Sequence, residues 1–161
     1  MIIAQNSYTH NHHLSVNQRT GLAGETYAAG LLLERGYNVT IPANFLCPNT
    51  DLLINGLPVE VKLALPTVRT VRPGYTRTRW QFNIGNVPAT DRVYLIIARD
   101  TAGQHWPYIV PSAVLINRPH IQLTSHPTHY AGFIAPFLHA WTVIDYLLTR
   151  QYQNAGQLAL L

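Results

Sequence analysis

Asp51, Glu60 and Lys62 are the residues of this 161-residue chain whose types and spacing best fit a chemical task. Asn55-Gly56, set between two apolar runs, is the strongest short signal for a two-residue hairpin turn, and such a turn fixes strand register. Ile54 then pairs with Leu57, Leu53 with Pro58 and Leu52 with Val59, so Asp51 falls directly opposite Glu60. Hydrogen-bonded and non-hydrogen-bonded pairs alternate outward from the turn. Pro58 thus sits where its missing N–H costs this ladder nothing, and the two acids share the closer kind of pair. Opposed carboxylates repel and weaken a sheet, yet only seven acids exist in the chain. A divalent cation resolves the conflict, and an all-oxygen set suits magnesium, with manganese able to substitute. Side-chain alternation puts Lys62, the only lysine, on the face of Glu60. An ammonium there can orient cation-activated water, help its deprotonation and stabilise phosphate charge in a transition state.

The remaining charge points to the partner. Eleven basic residues against seven acids give a net charge of +4 and a pI near 9.5, which favours a polyanion. Arg69, Arg72, Arg77 and Arg79 follow the second hairpin strand in a basic, structure-poor stretch with Tyr75 and Trp80 interleaved. Flexible arginines there fit phosphate contacts and base-edge readout, and Gln81, alternating with Asn83 on the next strand, joins that set. Glu25 borders a helical stripe and is a further candidate, whereas Glu34, Asp91, Asp100 and Asp145 read as surface or cap residues. The single Cys47 excludes a disulfide framework and any multi-cysteine zinc site. His126 and His129 have ligand-like spacing, but without a cysteine or a second histidine pair they read as loop residues. The longest apolar runs, such as 93–98, are too short to span a bilayer, and the N-terminus lacks a secretory pattern. The expectation is a soluble, cytoplasmic protein with no membrane partner.

These residues need a scaffold, and its elements are legible. Thr20 precedes a helix over about 21–35, with Gly24, Ala28, Leu31 and Leu32 on one stripe and Gly36 as its cap. Strands follow at 37–41, 51–54, 57–65 and 80–84. The apolar run 92–98 reads as a central strand, with another strand at 106–110 and a short helix at 113–116. Residues 118–138 show no clear period and read as a long connection. Ala140, Val143, Ile144, Leu147 and Leu148 make a second amphipathic helix, with a loose tail after Gln151. Residues 1–19 read as an arm or capping strand. The fold class is α/β (α+β): one domain over 1–161, a mixed central sheet flanked by helices.

The setting PNTDLLINGLPVEVK, with Asp51 and then Glu60-Val61-Lys62, resembles the PD-(D/E)xK nuclease superfamily. GLAGETYAAGLLLERGYNV looks like the helix that precedes the sheet in that family, with Glu25 as the matching acid. VYLIIARD and WPYIVPSAVL are similar to a later strand and the segment after it, so the likeness covers about 20–116. Asn49 and Thr50 stand between Pro48 and Asp51, where the motif has proline next to the aspartate. The resemblance implies a restriction-endonuclease-like core of helix, three-stranded antiparallel sheet, helix and further strand. It also implies magnesium-dependent hydrolysis of DNA phosphodiesters. Asp51, Glu60 and the Val61 carbonyl would bind the metal, Lys62 would act on the attacking water, and Glu25 would hold a second metal or a bridging water. A site-specific homing or restriction enzyme is the favoured role on double-stranded DNA. A Holliday-junction resolvase acting on branched DNA is the alternative, followed by a repair nuclease, and a non-catalytic DNA-binding module represents a different class. Double-strand cleavage by so small a subunit needs two active sites, implying a homodimer or larger assembly, with 117–161 as the candidate interface.

Overall fold

Residues 15–42 and 50–158 are described by the computed structural model; the expected N-terminal arm up to residue 14, Cys47 and the Pro48-Asn49 pair lie outside them. Helix α1 spans Val16–Glu34 and begins a turn earlier than Thr20 suggests. Ser15 is the cap: its hydroxyl accepts the Gln18 N–H at 3.2 Å while Gln18 Oε1 accepts the Ser15 N–H at 2.8 Å, a reciprocal capping box. The Thr20 hydroxyl is spent inside the helix on the Val16 carbonyl. At the other end Gly36, at φ +84°, donates to Leu33 O while Tyr37 donates to Leu32 O, which satisfies the last carbonyls in a Schellman arrangement.

The central sheet has the order β1 (Val39–Thr40), β2 (Leu52–Ile54), β3 (Leu57–Ala64), β6 (Val93–Arg99), β7 (His105–Pro111). The first three strands form an antiparallel meander, β6 runs parallel to β3, and β7 returns antiparallel. Strand β6 is the central strand expected, with Val93 to Ala98 all buried. One sheet face, with Val59, Val61, Leu95 and Ile97, packs on α1 (Ala28, Leu32) and on Ile144, Leu147 and Leu148 of α3 (Thr142–Leu158). Helix α3 continues through the tail that the sequence left loose. The short α2 (Ser112–Leu115) stands where a short helix was expected.

The opposite face carries a second sheet, and here two expectations are corrected. Residues 67–79 are a β-hairpin, β4 (Thr67–Arg72) with β5 (Tyr75–Asn83), turning at Pro73-Gly74. Gly74 supplies the positive φ of +76° that a β-carbon would penalise. All six residues of β4 are exposed, so apolar alternation is absent; β-branched Thr67, Val68, Thr70 and Val71 and the Pro-Gly turn are what favour the hairpin. This hairpin occupies the connection from β3 to β6 where the family resemblance implies a helix. The long connection 118–138 also contains β8 (His120–Leu123), paired antiparallel to β5, followed by two short 3-10 turns. Trp80, Phe82, Ile121 and Leu123 bury the inner face of this second sheet against Tyr94, Ile96 and Ala98. Among the described residues, no helix is long and apolar enough to cross a membrane.

Candidate active site

The site arises from unequal strand lengths. Strand β2 begins at Leu52, opposite Val59, whereas β3 continues to Ala64. From Glu60 onward no described strand pairs with the edge of β3 that β2 would cover. A strand residue's N–H and C=O project to the same side, and Val61 points both toward this edge. Asp51 fills the gap. Its N–H donates to Val59 O at 3.0 Å, and its Oδ2 accepts the Val61 N–H at 2.7 Å. The expected register therefore holds through Ile54↔Leu57, Leu53↔Pro58 and Leu52↔Val59. The ladder then ends one pair short of the expected Asp51–Glu60 pair, and the Asp51 carboxylate, rather than the backbone of residue 50, caps the edge beside Glu60.

Glu60 and Lys62 share the opposite face of β3 from Val61, and the Lys62 ammonium donates to Glu60 Oε1 at 2.6 Å. Glu60 is only 8% exposed, and its Oε2 is buried with no hydrogen-bond partner among the described residues. Burial is the main force raising the Glu60 pKa. The Asp51 charge raises it further, and the bond to Lys62 opposes the rise. Glu25 is raised in the same way, first by burial and then by Asp51 and Glu60, with Lys62 opposing. Three acids and one lysine thus form a single electrostatic unit whose acids repel one another.

Glycine positions the helix side of this unit. A β-carbon on Gly24 would lie 2.8 Å from Leu63 Cβ, so only glycine lets α1 approach β3 closely enough to bring Glu25 to its edge. Glu25, Asp51, Lys62 and Gln81 line one cleft of about 440 Å³. Glu60 lines the adjoining cavity of about 390 Å³ with Asn83 and Tyr94, and Lys62 borders both. Among the described residues, no three His, Cys, Asp or Glu side chains come together as a metal cluster. The oxygen-rich feature is instead the strand edge, with Asp51, Glu60 and the Val61 carbonyl, and with Glu25 across the cleft.

Three of the four arginines come together. Arg69 lies directly opposite Arg77, and Arg79 pairs with Thr67; Arg69, Arg77 and Arg79 line a cavity of about 340 Å³ with Gln122. Arg72 stands apart near the turn, its guanidinium 5.6 Å from the Tyr75 ring. Sequence reasoning missed His120 and Gln122, whose signal was the exposed–buried alternation of His120-Ile121-Gln122-Leu123. It also missed buried Arg92, whose charge lowers the Glu60 pKa. Asp100 is not a plain surface acid: it accepts the Trp106 indole N–H at 3.0 Å and the Gln104 N–H at 2.9 Å. These bonds, the Trp106 bond foremost, hold its carboxyl below the usual range and tie the β6–β7 turn. His126 lies 3.5 Å from Asp100 and caps a 3-10 turn.

No family model and no curated protein matches the chain. A solved structure of a bacterial homing endonuclease, I-Ssp6803I, matches with a TM-score of 0.62 at 19% identity, covering 88% of this chain and 98% of that one. The two share a fold: a mixed central sheet flanked by helices.

Proposed function

We propose that the chain is a magnesium-dependent DNA endonuclease of the PD-(D/E)xK type, cutting double-stranded DNA at a specific site as homing or restriction enzymes do. The observation that carries this reading is the buried Oε2 of Glu60, without a hydrogen-bond partner among the described residues, on a strand edge beside Asp51 and the chain's only lysine. The donor set fits a hard cation: two carboxylates and the carbonyl of Val61, all oxygen, with no sulfur or imidazole among them. Asp51, Glu60 and Val61 O would hold magnesium or manganese, and Glu25 would hold a second ion or a bridging water. Bound there, the cation supplies Lewis-acid polarisation of the phosphate and acidifies water.

The chain's own groups then have defined tasks. Lys62, tethered to Glu60 at 2.6 Å, orients the attacking water and offsets the charge that develops on the phosphate. Water adds to phosphorus in line with the 3′ oxygen; the P–O3′ bond breaks, leaving a 5′ phosphate and a 3′ hydroxyl. Arg69, Arg77, Arg79 and Gln81 hold the duplex over the cleft, and Arg72 reaches a more distant phosphate. The whole chain acts as one nuclease domain in the cytoplasm. It works as a homodimer or larger assembly so that both strands meet an active site, with the exposed side of α3, including Tyr146 and Tyr152, as the contact. The test is an assay with magnesium on linear duplex, single-stranded and four-way-junction DNA. Discrete duplex fragments, lost with a chelator, are expected. Preferential cutting of junctions would establish the resolvase reading instead, and binding without cleavage in any metal would leave a DNA-binding module.

A further inference from the structure

Strand β5 is the middle strand of a three-stranded sheet, yet it has one described partner strand at each position, because β4 and β8 take turns. It pairs with β4 from Tyr75 to Arg79 and with β8 from Trp80 to Asn83. The inner face is committed to the core through Trp80, Phe82, Ile121 and Leu123. The outer face presents Arg77, Arg79, Gln81 and Asn83 in turn along β5, with Gln122 directly opposite Gln81 and His120 directly opposite Asn83. No carboxylate lies on any of these three strands. Gln122 shares a cavity with Arg69, Arg77 and Arg79, and Gln81 lines the cleft of Asp51 and Lys62. The Gln81–Gln122 pair therefore stands between the arginine-lined cavity and the cleft of the acids.

We infer that β8 is a base-reading strand, with Gln122 and His120 as specificity-determining residues that contact base edges in the major groove next to the cut site. This rests on the site-specific endonuclease reading above. The dimensions agree: same-face residues on a strand are about 6.7 Å apart, about two base-pair steps of 3.4 Å. The run from Arg77 to Asn83 thus follows roughly six base pairs. The major groove, about 12 Å wide, admits a two-stranded ribbon but little more, which is the width that β5 keeps at every point. The residue types also separate reading from anchoring. Gln and Asn amides add no charge for phosphate binding but match adenine N6 and N7 as paired donor and acceptor, and the His120 ring offers one donor or acceptor. Gln122, held opposite Gln81, reads an A·T pair.

The experiment selects bound molecules from a pool of duplexes with a randomised central segment, in calcium, using wild type, Gln122→Ala and His120→Ala. Gln122→Thr serves as a second variant that favours the strand, and melting curves confirm that each is folded. The wild type should enrich one motif. Gln122→Ala and Gln122→Thr should lose preference at one A·T position and bind the enriched duplex about 5- to 150-fold more weakly. Their affinity for a scrambled duplex and their salt slope should not change, since no cation is removed. His120→Ala should relax a neighbouring position. Unchanged motifs in the variants, or equal losses on enriched and scrambled duplexes, overturn the role of β8 while leaving the endonuclease reading intact. Enrichment of no motif by the wild type overturns site-specific cutting, and the inference with it.

Discussion

The edge of β3 and the outer face of the β4–β5 ribbon solve opposite problems with the same device. Each sets like charges next to one another: Asp51, Glu60 and Glu25 at the edge, and Arg69 directly across from Arg77 on the ribbon. Repulsion of this kind weakens a sheet, and a partner of opposite sign would relieve it. The difference lies in burial. Glu60 is nearly sealed from solvent, so its charge is poorly screened and suits a small ion that enters the protein. Arg69 and Arg77 are exposed, so water and salt weaken their repulsion, and they suit an extended polyanion that stays outside. Burial, more than charge, separates the two regions: the edge suits a small ion and the ribbon an extended one.

The largest effect should come from Lys62, which borders both cavities of the edge. Lys62→Ala keeps the strand and the carboxylates, so cleavage should fall by about 10²-fold or more while DNA affinity stays nearly constant. Near wild-type turnover in a single-turnover assay would remove Lys62 from the chemistry. A purely steric change comes next. Gly24→Ala places a methyl 2.8 Å from Leu63 Cβ, pushing α1 from β3; a loss of about 1–3 kcal/mol is expected, with reduced activity because Glu25 moves. Equal stability and activity in denaturation and cleavage assays would show that the helix position is not critical.

The ribbon should respond to salt and the edge to pH. Arg77→Ala should weaken binding to all duplexes and lower the slope of log affinity against log salt by about one; an unchanged slope would move the DNA off this face. Folded-state Glu25 and Glu60 titrate above their ordinary value of 4.5. Their contribution to stability is therefore complete below that value and is lost as pH rises through the raised folded values. The metal-free wild type should consequently lose stability relative to Glu60→Gln as pH increases above 4.5. The gap between the two melting curves is the smallest of these effects, and a pH-independent gap would contradict the repulsion.

The edge was legible in the sequence because its geometry is local. Asn55-Gly56 fixes the hairpin, period-2 alternation places Glu60 with Lys62, and both survive in the fold. What the sequence could not give is where β2 stops: only the three-dimensional ladder shows Asp51 turning its carboxylate to the Val61 N–H. The ribbon was half legible. Its arginines were singled out, but β4 has no buried residue and hydrophobic alternation is silent there. β8 is four residues long within a proline-bearing segment, and its partner lies far away in sequence. Helix α1 was displaced by one turn because Thr20 is a plausible cap, and the Ser15–Gln18 box outcompetes it.

The central claim is that the Asp51–Glu60 edge holds a divalent cation, and thermal melting with and without magnesium or calcium tests it most directly. Ligand at 100 times its Kd stabilises by about 2.7 kcal/mol, which raises the melting temperature of a domain this size by roughly 5–10 °C. Asp51→Asn keeps an oxygen to accept the Val61 N–H but removes the charge. It should melt no lower than the metal-free wild type and show no metal response. A wild type that ignores both ions, or an Asp51→Asn variant that responds as the wild type does, would contradict the metal-binding role of this edge.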